Sequence, residues 1–200
     1  MIPIYVKLKH NNINQISAFK FWNWRNGYCY LKGTYLEKEV FVKIDTKMHL
    51  LSNDKLVYDL CKDDMKDDLV EILHYSVDGK IQFIAYKFFN SNELDENILI
   101  NNLKYIDDIL RILNNLSKSG IIHRDIKLNN FLVNGGKLKI IDFTFANSNS
   151  NKNFKEVDIN KSYNCFLLEF LGAGLNPSPF LWDDYYSFFS ILKSIEKNVG

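Results

Sequence analysis

The chain has 200 residues, of which 46% are hydrophobic, 14% aromatic and 24% charged, a composition that excludes the fibrous and disordered classes. Because 25 Lys and Arg nearly balance 24 Asp and Glu, the net charge is +1, and we expect no nucleic-acid partner. Cys29, Cys61 and Cys165 are too far apart for a disulfide framework or a zinc pair, which indicates a reducing, cytoplasmic compartment. Neither a membrane span nor an apolar signal core is apparent.

The first half of the chain has the alternation and the aromatic content of β-strands. Five segments have this character, namely 16–24, 28–36, 39–44, 70–77 and 80–88. Residues 50–62 instead repeat apolar side chains at helical spacing and predict a helix. The sequence therefore predicts a first domain, 1–88, with a five-stranded antiparallel sheet and one helix.

From Asn92 the apolar period changes from two residues to about 3.6, the repeat of an α-helix. A long helix is predicted at 103–116, with Gly120 as its terminator. Two short strands around a Gly-Gly turn and a final helix are predicted after it, at 131–134, 137–141 and 183–196. The fold class is therefore α+β, with an α-rich second domain at 89–200 and a hinge near 89–93.

A polar motif lies between the long helix and the small hairpin. It has the form H-R-D-x-K-x-x-N, and an I-D-F tripeptide follows the hairpin. These residues are His123, Arg124, Asp125, Lys127, Asn130, Ile141, Asp142 and Phe143. In residue type, spacing and surrounding elements the pattern resembles the catalytic loop and metal-binding turn of the protein-kinase superfamily. The resemblance implies a two-lobed protein-kinase-like fold, with a β-rich N-lobe and a shortened α-rich C-lobe.

Phosphoryl transfer from ATP requires a carboxylate that orients the attacking hydroxyl, and oxygen ligands that hold Mg²⁺. The resemblance implies that Asp125 is the catalytic base and that Lys127 steadies the γ-phosphate. It also implies that Asn130 and Asp142 bind Mg²⁺. Lys127 stands where serine/threonine protein kinases have Lys. The alternative is a loop that keeps the family's shape without its activity.

Lys43 ends the third predicted strand in a V-F-V-K sequence, where the family has V-A-I-K. The resemblance implies that Lys43 contacts the α- and β-phosphates, the alternative being a solvated strand end. Phe41 replaces the family's Ala and is expected to narrow or reshape the nucleotide pocket. The family pairs this Lys with a helix Glu, and Asp54 is the candidate here because it shares a face with apolar residues. Two interpretations of Asp54 stay open, an ion pair with Lys43 and a helix cap.

The phosphate-covering loop is the weakest correspondence. The family has G-x-G-x-x-G, whereas Gly27 is the single glycine here. Two interpretations of Arg25 stay open, a charge that compensates for the missing glycines and a solvated turn residue. The segment 83–89 resembles the strand that leads into the family's hinge. The implied adenine-pocket residues are Tyr86 at the back of the pocket, followed by Lys87, Phe88 and Phe89.

Three further features concern the C-terminal half. Asp184 opens a D-x-x-S sequence that resembles the family's anchor for the catalytic loop, with Asp183 as the adjacent alternative. Thr144 stands where the family has Gly and is expected to restrict the backbone rotation that switches many kinases off. The family's A-P-E sequence does not occur before Asp184.

The resemblance implies an ATP- and Mg²⁺-dependent kinase that transfers the γ-phosphoryl group to a hydroxyl. Lys127 favours a serine/threonine protein-kinase-like enzyme with a protein acceptor. The short C-terminal half favours an alternative, a bacterial lipopolysaccharide or surface-sugar kinase with a glycan acceptor. A third interpretation is a pseudokinase that binds nucleotide or a partner without catalysis, favoured by Gly27, Phe41, Asp54 and Thr144.

Overall fold

An antiparallel sheet occupies the first half of the computed structural model, which describes residues 2–20, 27–158 and 162–199. Within those ranges the sheet has five strands in the spatial order β1-β2-β3-β5-β4. They are β1 (Ile13–Lys20), β2 (Tyr28–Tyr35), β3 (Lys38–Asp45), β4 (Ile72–Ser76) and β5 (Gln82–Lys87). All five predicted strands are therefore confirmed, except that residues 21–24 of the first prediction lie outside the described residues.

Two helices accompany this sheet. α1 (Ile2–His10) precedes β1, and α2 (Leu51–Cys61) connects β3 to β4. The sequence predicted α2 alone, so α1 is an addition to the predicted architecture. Leu8 of α1 and Ile13 of β1 are buried in one cluster with Phe83 of β5. Burial against the sheet therefore stabilises α1, as tertiary packing does for most helices in proteins.

Beyond β5 the chain forms a small second sheet and four α-helices within the described residues. They are β6 (Asn92–Glu93), α3 (Glu96–Asn101), α4 (Lys104–Lys118), β7 (Phe131–Asn134), β8 (Lys137–Ile140), α5 (Ser162–Glu169) and α6 (Asp184–Val199). The predicted long helix, hairpin and final helix are confirmed as α4, β7–β8 and α6, whereas β6, α3 and α5 were not predicted. We call the part up to β5 the N-lobe and the part from β6 the C-lobe; the boundary at 88–89 stays a prediction.

Gly120 ends α4 as the sequence predicted. Its φ is 69°, in the left-handed region that favours glycine, and its N–H donates to the carbonyl oxygen of Ser117 at 2.9 Å. The chain therefore leaves the helix sharply and enters the polar motif three residues later.

The largest buried cluster joins the two lobes. It contains Val57 of α2 together with Ile112 of α4 and Phe188 of α6. At the same boundary Arg111 of α4 donates two hydrogen bonds, of 2.6 and 2.8 Å, to the buried carboxylate of Asp68. These contacts hold α2 against the C-lobe.

Candidate active site

A cleft of about 570 Å³ lies between the lobes. Its lining combines residues that are far apart in the sequence. Eight of the predicted site residues line it: Lys43, Tyr86, Lys87, Phe88, Phe89, Lys127, Asn130 and Asp142. The structure therefore brings these predicted nucleotide and metal residues, Gly27 excepted, to one place, with Asp54 and Asp125 hydrogen-bonded to members of the set.

The first residue of α6 binds the backbone of the catalytic-loop motif. The backbone N–H groups of His123 and Arg124 donate to the Asp184 carboxylate at 2.7 and 3.0 Å. Burial raises the pKa of that carboxyl, against the opposing effect of His123. Asp183 instead accepts from the backbone N–H of Tyr186 at the start of α6. The anchor is therefore Asp184, the first of the two predicted candidates.

Two residues of the motif have a left-handed backbone conformation, which is uncommon for residues other than glycine. Arg124 has φ of 69° and Asp142 has φ of 67°. Such conformations persist where surrounding contacts over-determine them. Here His123 supplies one such contact, because its ring nitrogen Nε2 is 3.0 Å from the carbonyl oxygen of Ile141. The two halves of the motif are thus tied together across the small hairpin.

Asp125 is buried, and its carboxylate accepts three hydrogen bonds. Lys127 Nζ and Asn130 Nδ2 donate to Oδ2 at 2.7 and 3.0 Å, and the backbone N–H of Gly172 donates to Oδ1 at 2.7 Å. Since a carboxylate offers about four lone-pair sites, this arrangement leaves capacity for one more donor. By this count, a further hydroxyl donor at Asp125 would not have to displace the contacts that orient the carboxylate.

Asn130 and Asp142 suit a hard cation such as Mg²⁺, which binds one or two protein oxygen ligands together with phosphate oxygens. The Asn130 side-chain nitrogen donates to the carbonyl oxygen and the carboxylate of Asp125. Within the described residues its side-chain oxygen has no partner, so that oxygen is available to a metal. The Asp142 side chain is 31% exposed and lines the cleft. Across residues 2–20, 27–158 and 162–199, no cluster of three His, Cys, Asp or Glu side chains forms a separate metal site. The donor set thus fits a cation that also binds nucleotide phosphates.

Lys43 of β3 lies between two carboxylates. Its Nζ is 3.3 Å from both oxygens of Asp54 and 2.7 Å from Oδ1 of Asp142. Burial alone would lower the pKa of Lys43, but Asp142 and Asp54 raise it well above its usual range. Burial would raise the pKa of Asp142, but Lys43 and the Thr144 hydroxyl lower it below its usual range.

Asp54 takes part in this ion pair and makes no capping hydrogen bond at the start of α2. Of the two interpretations left open by the sequence, the observed geometry matches the ion pair; the catalytic role of Asp54 stays a prediction. Burial raises the pKa of Asp54, against the opposing effect of Lys43. Its Oδ1 also accepts from the Tyr86 hydroxyl at 3.0 Å and from the backbone N–H of Phe143 at 3.2 Å.

The hinge segment lies at the cleft, but two of its N–H groups have protein partners. The N–H of Lys87 donates to the backbone carbonyl oxygen of Glu71 at 2.8 Å, and the N–H of Phe88 donates to the backbone carbonyl oxygen of Glu39 at 2.9 Å. Both N–H groups are therefore engaged in pairing with neighbouring segments. Of the three predicted hinge residues, Phe89 is the one whose N–H has no hydrogen-bond partner within the described part of the chain.

Phe41 and Gly27 depart from the family's pattern. The Phe41 ring lines the cleft and lies 5.7 Å from the Tyr30 ring, nearly parallel to it. Gly27 is not among the lining residues of this cleft; its carbonyl oxygen accepts from the backbone N–H of Thr46 at 2.9 Å. A Cβ added at Gly27 would lie 2.6 Å from the Lys47 side chain. The structure thus gives Gly27 a local turn role, whereas its contact with phosphate stays a prediction, and Arg25 lies outside the described residues.

Sequence reasoning missed three contacts of this site. Gly172 reaches Asp125 from a distance of 47 positions along the chain. Arg124 donates two hydrogen bonds, of 2.7 and 3.0 Å, to the carboxylate of Glu156. Thr144, noted only for its backbone, is buried with its hydroxyl among Lys43, Asp54 and Asp142. Only the unusual Thr in the family's Gly position was a signal in the sequence.

None of the helices in the described part of the chain is long and apolar enough to cross a membrane.

Comparison with known proteins agrees with this geometry. A protein kinase domain model matches residues 4–165. The cell cycle protein kinase DBF2 of Candida albicans is 30% identical over 128 residues, 59% of this chain and 17% of that protein. A probable serine/threonine-protein kinase of Encephalitozoon cuniculi is 41% identical over 69 residues, 34% of this chain and 13% of that protein. The serine/threonine-protein kinase greatwall of Mus musculus is 32% identical over 89 residues, 44% of this chain and 10% of that protein.

The chain spans less than a fifth of the length of these curated relatives. The family match, in contrast, covers most of the chain. It includes the strand that carries Lys43, the catalytic loop and the turn at Asp142, whereas Gly172 and Asp184 lie beyond it. The chain therefore belongs to the protein kinase family.

Proposed function

We propose that this kinase domain transfers the γ-phosphoryl group of ATP, in the presence of Mg²⁺, to a serine or threonine hydroxyl of a protein. The observation that carries the proposal is the Asp125 carboxylate, which Lys127, Asn130 and Gly172 orient beside a cleft that also contains Asp142. Kinase catalysis consists mostly of positioning and charge neutralisation, and these residues provide both.

In the proposed reaction, Asp125 accepts a hydrogen bond from the acceptor hydroxyl and takes its proton as the acceptor oxygen bonds the γ-phosphorus. The bond between the γ-phosphorus and the bridging oxygen breaks, and ADP leaves. Lys127 lies 2.7 Å from Asp125 and lines the cleft, so its charge is near the transferred group. Asn130 and Asp142 would hold Mg²⁺, which neutralises phosphate charge.

Nucleotide recognition is assigned to the sheet side of the cleft. Lys43 would contact the α- and β-phosphates, since its Nζ is within 2.7 Å of the proposed metal ligand Asp142. Adenine would lie beside Phe41 and accept a hydrogen bond from the N–H of Phe89. A protein acceptor is supported by Lys127 and by the serine/threonine-kinase names of the similar proteins.

Two other functions are distinguished from this proposal by experiment. A bacterial lipopolysaccharide or surface-sugar kinase would transfer phosphate to a glycan hydroxyl. A pseudokinase would bind nucleotide without transfer. The observation that favours it is the Phe41 ring, which lies against Tyr30 at the cleft and occupies space where the family has a small Ala.

The nucleotide part of the proposal predicts that Mg-ATP stabilises the wild-type protein. At about 100 times the dissociation constant, binding contributes about 2.7 kcal/mol, which raises the melting temperature by about 5–10 °C for a chain of this size. Asp142→Asn removes the charge that binds Mg²⁺ and should lose most of this shift. Asp59→Asn, in an exposed ion pair on α2, is the matched control. Equal stabilisation of all three proteins would reject Asp142 as a metal ligand.

A further inference from the structure

The side chain of Thr144 lies among three charged groups. Its hydroxyl oxygen is within hydrogen-bond distance of Lys43 Nζ, is 3.0 Å from Asp54 Oδ2 and is 2.8 Å from Asp142 Oδ1. Thr144 is 1% exposed, so water does not compete for the hydroxyl. A buried polar group with charged partners makes stronger hydrogen bonds than one with neutral partners.

The number of protons limits what the hydroxyl can do. A threonine hydroxyl has one proton to donate and two lone pairs that accept. It accepts from the Lys43 ammonium and donates to either Asp54 or Asp142, but not to both at once. The hydroxyl therefore links the ion pair of the N-lobe to the proposed metal ligand of the C-lobe.

Helix α2 holds the backbone of Thr144 as well as its side chain. Asn53, which is fully buried, donates from Nδ2 to the carbonyl oxygen of Thr144 at 3.0 Å. The adjacent Asp54 accepts from the Thr144 hydroxyl and from the N–H of Phe143. Thr144 is thus the residue at which α2, β3 and the turn after β8 meet.

We infer that Thr144 is a positioning residue, whose hydroxyl holds Lys43 between Asp54 and Asp142. The Asp54 side chain is one methylene shorter than the Glu of the family, and Thr144 gives Lys43 a third partner beside Asp54 and Asp142. The catalytic part of this inference rests on the proposed kinase function. The competing explanation is that Thr144 matters only through its β-branch, which restricts the backbone.

Paired substitutions separate the hydroxyl from the β-branch. Thr144→Val keeps the branch and removes the hydroxyl, whereas Thr144→Ser keeps the hydroxyl and removes the branch. We expect Thr144→Val to melt about 5 °C lower than wild type, because buried charged groups lose a partner, and Thr144→Ser to melt close to wild type. Thr34→Val, in β2 and half-buried, is the control for the same chemical change. If Thr144→Val does not fold, Thr144→Ala and Thr144→Ser give the same comparison.

A double-mutant cycle tests the contact without any need for activity. Thr144→Val and Asp54→Ala should be non-additive in melting temperature, since each removes one side of the contact between the Thr144 hydroxyl and the Asp54 carboxylate. Additive losses, or a Thr144→Ser protein as unstable as Thr144→Val, would overturn the inference.

The catalytic part is tested by phosphate transfer. Thr144→Val should lower kcat/KM by about tenfold or more, since misplacement of a catalytic group is costly, and Thr144→Ser should restore it. Wild-type activity in Thr144→Val would overturn the positioning role. A wild-type protein that transfers no phosphate would reject the proposed function and this catalytic role together, whereas the melting-temperature cycle would still decide the Thr144 contact.

Discussion

At the scale of single residues, Asp125 is expected to serve the transition state more than the binding of ATP. Asp125→Ala should lower kcat by on the order of 10² or more and leave nucleotide affinity within a few-fold, because its proposed partner is the acceptor hydroxyl and not the nucleotide. Steady-state kinetics beside a nucleotide-binding titration measures both quantities, with Asp59→Ala as an exposed control. Equal losses of binding and turnover would instead make Asp125 a structural support of its loop.

Gly172 is expected to orient Asp125 through its backbone. Its φ is 61°, and a Cβ there would lie 3.3 Å from the carbonyl oxygen of Ile126, so Gly172→Ala should displace the N–H that donates to Asp125. Gly174→Ala is the matched control, since Gly174 has φ of 75° with nothing within 4 Å of the added Cβ. We expect kcat to fall by several-fold more in Gly172→Ala than in Gly174→Ala. Similar kcat values in the two variants would remove the contact from the mechanism.

At the scale of secondary-structure elements, α1 is attached to the sheet through His74 of β4. The His74 ring stacks on Tyr35 at 4.8 Å, and its Nε2 is 3.1 Å from Asn11 Oδ1, just beyond α1. Burial lowers the pKa of His74, so the folded state binds its proton less tightly than the unfolded chain. Protonation of His74 therefore favours the unfolded chain. The free energy of unfolding is unaffected by His74 protonation above the unfolded pKa of about 6.5 and decreases as the pH falls below that pKa toward the lower folded one.

The comparison of wild type with His74→Phe measures this effect. Phe keeps an aromatic ring against Tyr35 and does not titrate. Denaturant unfolding from pH 8 to pH 5 should show a larger loss of stability in wild type than in His74→Phe. Parallel pH profiles of the two proteins would show that protonation of His74 does not affect folding.

Elements that depend on local patterns could be predicted from the sequence. α2 and α4 follow their apolar periods, and β7 and β8 follow the Gly135-Gly136 turn between them. α1 could not be predicted in this way, because residues 2–10 contain β-branched side chains and Pro3, and the helix depends on burial of Leu8 against a distant sheet.

The candidate site also has a part that could be predicted from the sequence and a part that could not. The catalytic-loop residues lie within eight positions of one another, so their spacing in the sequence identified them. The contacts of Thr144 with Lys43, and of Gly172 with Asp125, join residues 101 and 47 positions apart. Such contacts depend on how the lobes pack, which no short-range pattern encodes.

At the scale of the whole molecule, the two lobes form one site only when they are packed together. Lys43 and Asp54 come from the N-lobe, whereas Asp125 and Asp142 come from the C-lobe. The shared core around Val57 and the pair of Arg111 with Asp68 keep these groups within hydrogen-bond distance of their partners. The arrangement of charges is therefore a property of the complete fold.

The most direct test of kinase function is transfer of label from γ-labelled ATP in the presence of Mg²⁺. We expect the wild-type protein to label a protein acceptor on serine or threonine, and we expect chelation of Mg²⁺ or Asp125→Ala to abolish the label. Label on glycan alone would contradict the protein acceptor. A folded wild-type protein that binds Mg-ATP and yields no label on protein or glycan acceptors would contradict the central claim and identify a pseudokinase.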